Sequence, residues 1–332
     1  FHTYAQPIMG IFAEFAKISN LQLNLTKTVL IPLWESSEPR IRRWLQDDFP
    51  NWSQVEVAWS ARYLGFYIGP ARIGMSWTKA LSKFCARVSA WSALHLGMQF
   101  NSRIYKTFCC SVLSFLWQLE EPPEEVLKAE AWALRRLAPG PGNWIQPIDL
   151  RHLRHNYGLP FDFPGFYQMA LSARMRVLEF EPQMQCQIYS DELMHARAVA
   201  RFRHDAWAGW YQKSHVAVLL DARTRLHECG VSSESVRRSL AERCGENRNL
   251  IAAAKYVKHS FQGQALLQLT KSEAYSHEHK IRCRLERWKI DSVPAGILAR
   301  RACRYLHGAC ELVPPRVVVA LFRTWFNGWC TA

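Results

Sequence analysis

FAEFAKISNLQLNLTKTVLIPLW at residues 12–34 and, after a polar insert containing tryptophan, ARYLGFYIGP at 61–70 are the stretches around which the chain is organised. Hydrophobic residues recur at helical spacing as far as Ile18, and Ser19-Asn20 break the pattern. Leu21, Leu23 and Leu25 then alternate as a short strand does, and Lys27 leads into a second strand over 29–33. Tyr63-Leu64-Gly65-Phe66-Tyr67-Ile68-Gly69 is a further strand signal, its glycines marking a bend or a close backbone approach. The spacing predicts an amphipathic helix over 6–19 that covers a small, partly antiparallel sheet, with Ile8, Ile11, Phe12, Phe15, Ala16 and Ser19 on its face. A sheet of this size must pack on helices or on another chain.

Outward from this stretch the pattern becomes helical. Between the strands, Pro39 and a short helix over 40–45 precede Pro50 and the strand positions Trp52, Val55 and Trp59. Ser76 is a candidate N-cap for a helix carrying Leu81, Phe84, Cys85, Val88, Trp91 and Leu94, with Gly97 as its stop. A second helix over 102–119 places Ile104, Phe108, Val112, Phe115 and Leu119 on one stripe, and a third spans 124–137. The Pro-Gly-Pro-Gly-Asn-Trp loop at 139–144 is the clearest internal boundary. Beyond it, Phe166, Ala170, Ala173 and Val177 mark one helix. Pro315 opens another, with Val319, Phe322, Phe326 and Trp329 on its face. Residues 185–300 are rich in His and Arg and show no internal repeat.

The 332 residues can bury a substantial core in one to three domains, and 49% hydrophobic against 21% charged content describes a folded protein. Forty-two Lys and Arg against 28 Asp and Glu give a net charge of +14, in which Arg dominates. Arg favours bidentate contact with phosphate or carboxylate, so nucleic acid is the first partner class. An acidic face of a larger assembly or an anionic membrane surface suits the same charge. The ten cysteines form no regular framework and, as at Cys85, Cys109 and Cys110, read as reduced small hydrophobes. This points to a reducing intracellular compartment, nucleus or organelle. No apolar run is long enough for a transmembrane span. The chain opens on Phe1 with neither methionine nor signal-peptide pattern, which reads as a processed product or a fragment.

The helix before Ser19, the NLQLNLTKT segment and the YLGFYIG segment together resemble the end of the palm domain in reverse transcriptases of non-LTR (LINE-like) retrotransposons. The likeness continues beyond the boundary loop. GPGNW at 140–144, an Asp149-Leu150 pair, Gly158-Leu159-Pro160 and Trp325-Phe326-Asn327-Gly328-Trp329-Cys330 resemble open reading frames of the dinoflagellate type. The resemblance is strongest over 12–70, 102–180 and 315–332. It implies a mainly α protein with a small α/β palm remnant at 1–75, a thumb-like helical bundle at 76–140 and a helical post-thumb region at 141–332. It also implies a primer-grip-like hairpin at Tyr63, Leu64 and Gly65, with Lys27 beside it. Lys79, Lys83, Arg87, Arg103 and Lys106 would then line a duplex through its phosphates. As ordinary solvated helix faces they need no ligand at all.

Polymerase chemistry requires carboxylates around two divalent ions, and the aspartates that the resemblance calls for have no counterpart here. Glu14, Glu35 and Glu38 match none of the family's metal ligands, and Asp47-Asp48 lies outside a strand-turn-strand setting. No phosphate loop, Gly-x-Ser-x-Gly or His-Glu-x-x-His occurs. His277, His279, Cys283, Cys303 and Cys310 can be assembled into a zinc site only on paper, because their spacing fits no compact finger. The expectation is therefore no catalytic residue, no metal, no cofactor and no small-molecule substrate.

The 14 Trp, 17 Phe and 11 Tyr exceed what a tiny sheet can bury, so Trp34, Trp52, Trp59 and Trp77 are candidate interface residues. Two functions follow. One is a non-catalytic module binding an RNA or DNA duplex. The other is a structural subunit among protein neighbours in a large assembly, an organellar complex among the candidates, built from a degenerate reverse-transcriptase gene. A third origin, a fragment of a full enzyme, fits the same residues.

Overall fold

A computed structural model describes residues 2–32, 37–72, 74–142, 144–181, 183–185, 187–188, 190–191, 215–244, 254–273, 277–288 and 294–326. The protein is mainly helical with a small β region near its N-terminus. The described residues up to Ser76 form one compact unit, and those from Trp77 onward form a second. No helix among the described residues is long and apolar enough to cross a membrane.

The first unit begins with α1 (His2–Ser19), which ends where Asn20 takes a φ of +57°. Its expected apolar face is not covered: Ile11 is 65% exposed, Phe15 52% and Ile18 88%. The expected strand through Leu21, Leu23 and Leu25 is replaced by a 3-10 turn at Leu25–Lys27. Asn24 is the reason. Its Oδ1 accepts from Lys27 N–H at 3.2 Å and from Thr26 Oγ1 at 2.7 Å, a local cap that outcompetes strand pairing.

Instead of one partly antiparallel sheet, the described residues form two separate pairs. β1 (Val29–Leu30) runs parallel to β2 (Glu56–Val57), and β3 (Ala61–Tyr63) runs antiparallel to β4 (Phe66–Ile68). The parallel pair is possible because α2 (Glu38–Asp48) supplies the crossover between its strands, as parallel pairing requires. Ile41 and Leu45 of α2 and Val57 are buried together, with Leu30, Trp44, Phe49 and Trp52 packed around them. Asp47 and Asp48 are exposed at the end of α2. The YLGFYIG segment is not one strand but a hairpin, because Leu64 and Gly65 both take positive φ (+46° and +101°), the geometry of a two-residue turn.

Of α3 (Met75–Ser92), the residues from Trp77 on belong to the second unit; the helix stops before Gly97, which caps the next helix rather than ending this one. Ser76 does not cap α3 either. It lies inside the helix, and its Oγ accepts from Tyr67 N–H at 2.9 Å. The helix expected over 102–119 is broken into α4 (Met98–Ile104), a π-helical turn at Tyr105–Cys109, a 3-10 turn at Cys110–Val112 and α5 (Leu116–Leu119).

The π turn inserts one residue and moves the buried stripe by one position. Cys109, Leu113 and Leu116 go inside, and Phe108 and Phe115 are turned out, 47% and 45% exposed. α6 (Glu124–Leu137), between Pro123 and Pro139, forms where its pattern places it. Short α7 (Pro147–Arg151) and α8 (Leu153–Tyr157) follow.

α9 (Phe166–Phe180) is the centre of this unit. At its N-terminal end Phe166 meets Phe84, Trp117 and Tyr105, with ring centroids 5.3, 5.5 and 6.2 Å away. Further along, Leu171 and Met175 are buried with residues of α10 (His215–Glu228), α11 (Ser233–Cys244) and α12 (Ala254–Ser272). Arg174, 1% exposed, donates from Nε to Trp117 O at 2.8 Å, from Nη2 to Glu120 O at 2.8 Å and from Nη1 to Glu121 at 2.6 Å. It satisfies carbonyls that α5 leaves open at its C-terminal end.

α13 (His277–Arg287), α14 (Ala295–Leu312) and α15 (Pro315–Trp325) complete the unit. Phe322 and Phe326 pack edge-on against Tyr157 of α8. The buried face of α15 is Val318, Phe322 and Phe326, with Val319 half-buried beside it; Trp329 lies outside the described residues.

Candidate nucleic-acid interface

The residues singled out in the sequence fall on both units. In the first, Lys27 is exposed at the end of the 3-10 turn, and the hairpin presents Tyr63 (56% exposed) and Leu64 (76%) at its tip. Gly65 owes its place to its φ, since a Cβ built there meets nothing. Gly69 is where the backbone approaches closely: with φ at +116°, a Cβ would lie 2.2 Å from Trp59 O and 2.9 Å from Ile31 Cγ2. Trp52 and Trp59 are half-buried, whereas Trp77 is 2% exposed and offers no surface to a partner. Trp34 lies outside the described residues.

In the second unit the five basic residues of the thumb-like block divide in two. Lys79 and Lys83, one turn apart on α3, and Arg103 on α4 are exposed. Arg87 is drawn back onto the chain, its Nη1 donating to Phe108 O and, at 3.4 Å, to Ser111 Oγ. Lys106 is paired with Asp162. Residues 77–119 hold these five cations and no Asp or Glu, so no carboxylate of the segment opposes them. Buried Cys109 sits in the same segment, and desolvation pushes its thiol up to about 11 despite the opposing pull of Arg87.

Folding also assembles a site with little local trace in the sequence. A cleft of about 700 Å³ is lined by Lys106, by Arg151 and Arg154 of α7 and α8, by Arg243 of α11 and by Lys271 of α12. Two carboxylates, Asp162 and Glu242, line it too, and the rest of the wall mixes apolar residues such as Met169, Leu266 and Leu267 with polar Ser239, Gln264 and Thr270.

Four of the five cations, Lys106, Arg151, Arg154 and Arg243, are held in place. Asp162 pairs with Lys106 and lies 3.7 Å from Arg154 Nε, and Arg154 Nη2 donates to Pro160 O at 2.8 Å. Arg243 Nη1 donates to Gln264 Oε1 at 2.9 Å. Arg151 Nη1 meets Glu273 Oε1 at 2.6 Å, and the other Glu273 oxygen lies 3.2 Å from Nε2 of buried His152. Burial pushes the Glu273 carboxyl up, but the His152 hydrogen bond and the Arg151 charge outweigh it and hold it below its ordinary range. Glu130, accepting from Phe166 N–H at 3.0 Å, is pushed the other way because desolvation there exceeds the help of that bond and of Arg151.

Such a cleft concentrates positive potential between walls of low polarizability, and its preset guanidinium groups suit phosphate oxygens. Sequence reading missed it because Arg151 and Glu273 stand 122 residues apart. The one local hint was Arg151-His152-Leu153-Arg154-His155, basic residues at helical spacing directly after the boundary loop.

The paper zinc site is partly disassembled. His279 Nε2 and Cys283 Sγ come within 3.6 Å, but Cys310 Sγ donates to Leu306 O at 3.1 Å, and the side chain of His277 lies outside the described residues. Among the described residues no three His, Cys, Asp or Glu are grouped to hold a metal ion. Compared with known protein families, characterised proteins and solved structures, the chain gives no match.

Proposed function

We propose that this chain is a nucleic-acid-binding module that performs no nucleotide chemistry of its own, with phosphate recognition centred on its second unit. The cationic cleft carries this reading: five Lys and Arg, four of them held by partners, line a space of about 700 Å³ with Asp162 and Glu242, and Glu273 is paired to Arg151. The acid-free run over 77–119, with Lys79, Lys83 and Arg103 exposed, extends the same charge along α3 and α4. The resemblance to the palm end, thumb and post-thumb region of a LINE-like reverse transcriptase supports it from the sequence. The hairpin at Tyr63, Leu64 and Gly65 has the exposure a primer-grip contact needs.

A second reading, a structural subunit of a multiprotein assembly, draws on one observation. The apolar face of α1 stands open at Ile11, Phe12, Phe15 and Ile18, and large exposed apolar patches mark protein contacts.

Charge reversal separates the two. Arg243→Glu with Lys271→Glu changes exposed side chains, and circular dichroism checks that loss of the Arg243–Gln264 bond leaves the fold in place. The expected result is a loss of affinity shared by oligonucleotides of unrelated sequence, with a log affinity–log salt slope shallower by about 0.7–0.9 for each phosphate that is no longer neutralised. Unchanged affinity and slope would remove the cleft from the account and favour the subunit reading.

A further inference from the structure

The π-helical turn at Tyr105–Cys109 is a costly irregularity with a defined consequence: it takes two phenylalanines out of the core stripe and places them on the surface. Phe108 stacks on Trp91 of α3, with ring centroids 5.2 Å apart and planes inclined by 29°. The Arg87 guanidinium is fixed beside the pair by its bonds to Phe108 O and Ser111 Oγ. Phe100 on α4 adds another open ring, 58% exposed.

We infer that this aromatic face binds the unpaired bases of single-stranded nucleic acid by stacking, an inference that rests on the nucleic-acid reading and names the strand state it selects. Charge decides the occupant. The segment bearing the rings has Lys79, Lys83, Arg87, Arg103 and Lys106 and no acid, so an anionic strand is attracted where an apolar helix of a basic partner is repelled. Bases present π faces to exposed rings whatever their sequence, while a duplex keeps its bases stacked inside and offers only phosphates. Lys106, a cleft residue, is two positions from Phe108, so phosphate and base contacts meet on one segment.

The test compares a labelled single-stranded uridine or thymidine 12-mer with a blunt duplex of the same length, by fluorescence anisotropy on the full chain. Phe108→Ala and Phe115→Ala alter exposed side chains, so the fold is expected to persist, checked by circular dichroism. Each is expected to weaken single-strand binding about tenfold and leave duplex binding within about twofold, with Phe108→Tyr restoring the wild-type value. Equal loss on both ligands, or no loss on the single strand, overturns the inference while phosphate binding by the cleft stands. If wild-type chain binds neither ligand, the nucleic-acid reading fails and this inference with it. If Phe108→Ala instead abolishes self-association in sedimentation, the face is a contact between copies and the inference is overturned.

Discussion

In the first unit three buried side chains, Ile41, Leu45 and Val57, anchor the packing around strands of two and three residues, and the chain reverses through Asn20, Leu64, Gly65 and Gly69 at positive φ. The second unit buries nine residues in one cluster alone, adds the rings around Phe166, and encloses an arginine bonded to the Trp117 and Glu120 carbonyls and to exposed Glu121. The two are therefore vulnerable to different changes. Backbone geometry limits the first, and buried side chains limit the second. The same contrast supports the proposed location of the binding site, because fixed ion pairs need rigid surroundings and the second unit has the larger buried core.

The largest expected effect is at Arg174. Arg174→Ala leaves the Trp117 and Glu120 carbonyls without their donor inside the core and should cost about 3–5 kcal/mol in chemical denaturation. A cost under about 1 kcal/mol would mean that water or a neighbour replaces it and that the second unit is looser than its packing implies.

Next come the glycines of the first unit. Gly69→Ala combines positive φ with a clash against the fixed Trp59 carbonyl and should cost more than about 2 kcal/mol. Gly65→Ala, with open space for its Cβ, should cost only about 1 kcal/mol. Hydrogen exchange is the suitable measurement, with loss of protection expected over 29–31 and 56–68 and none around α9. Equal costs at the two glycines would contradict the close approach at Gly69.

Two carboxylates of the second unit sharpen the comparison through pH. Glu273 has its folded pKa held below the unfolded value, so its stabilisation is present above the ordinary carboxylate range and is lost as pH falls through the depressed value. Glu273→Gln should cost about 1–3 kcal/mol at neutral pH and less in acid. Glu130 is raised, so its contribution is present at low pH and is lost as pH rises through the folded value. Glu130→Gln, which keeps an acceptor for Phe166 N–H, should leave neutral stability unchanged or slightly higher. Melting both variants across the acid range checks the opposite signs.

Several helices were legible because their signals are local. Pro123 and Pro139 bracket α6, Pro315 opens α15, and the apolar spacing from Phe166 to Val177 marks α9. The errors arose where one side chain or one inserted residue overrode a pattern. Asn24 caps a 3-10 turn where alternating leucines suggested a strand, and the π turn shifts the stripe Ile104, Phe108, Val112, Phe115 by one residue. Nothing near Arg174 signals its burial, since its partners lie more than 50 residues earlier, in and just beyond α5. The hairpin was implied only by the resemblance, since the residues themselves read as one strand; the exposed Lys79, Lys83 and Arg103 were readable in sequence. The cleft was not, because Lys106, Arg151, Arg243 and Lys271 meet only after α7, α11 and α12 are in place.

Photo-cross-linking of the full chain to a single-stranded oligonucleotide carrying 4-thiouridine, read by peptide mass spectrometry, tests the central claim most directly. Adducts are expected in the second unit, on the segment around Trp91, Phe108 and Phe115 and on the cleft-lining segments around Arg151 and Lys271. Adducts confined to residues 2–72, or none above a non-irradiated control, would contradict it.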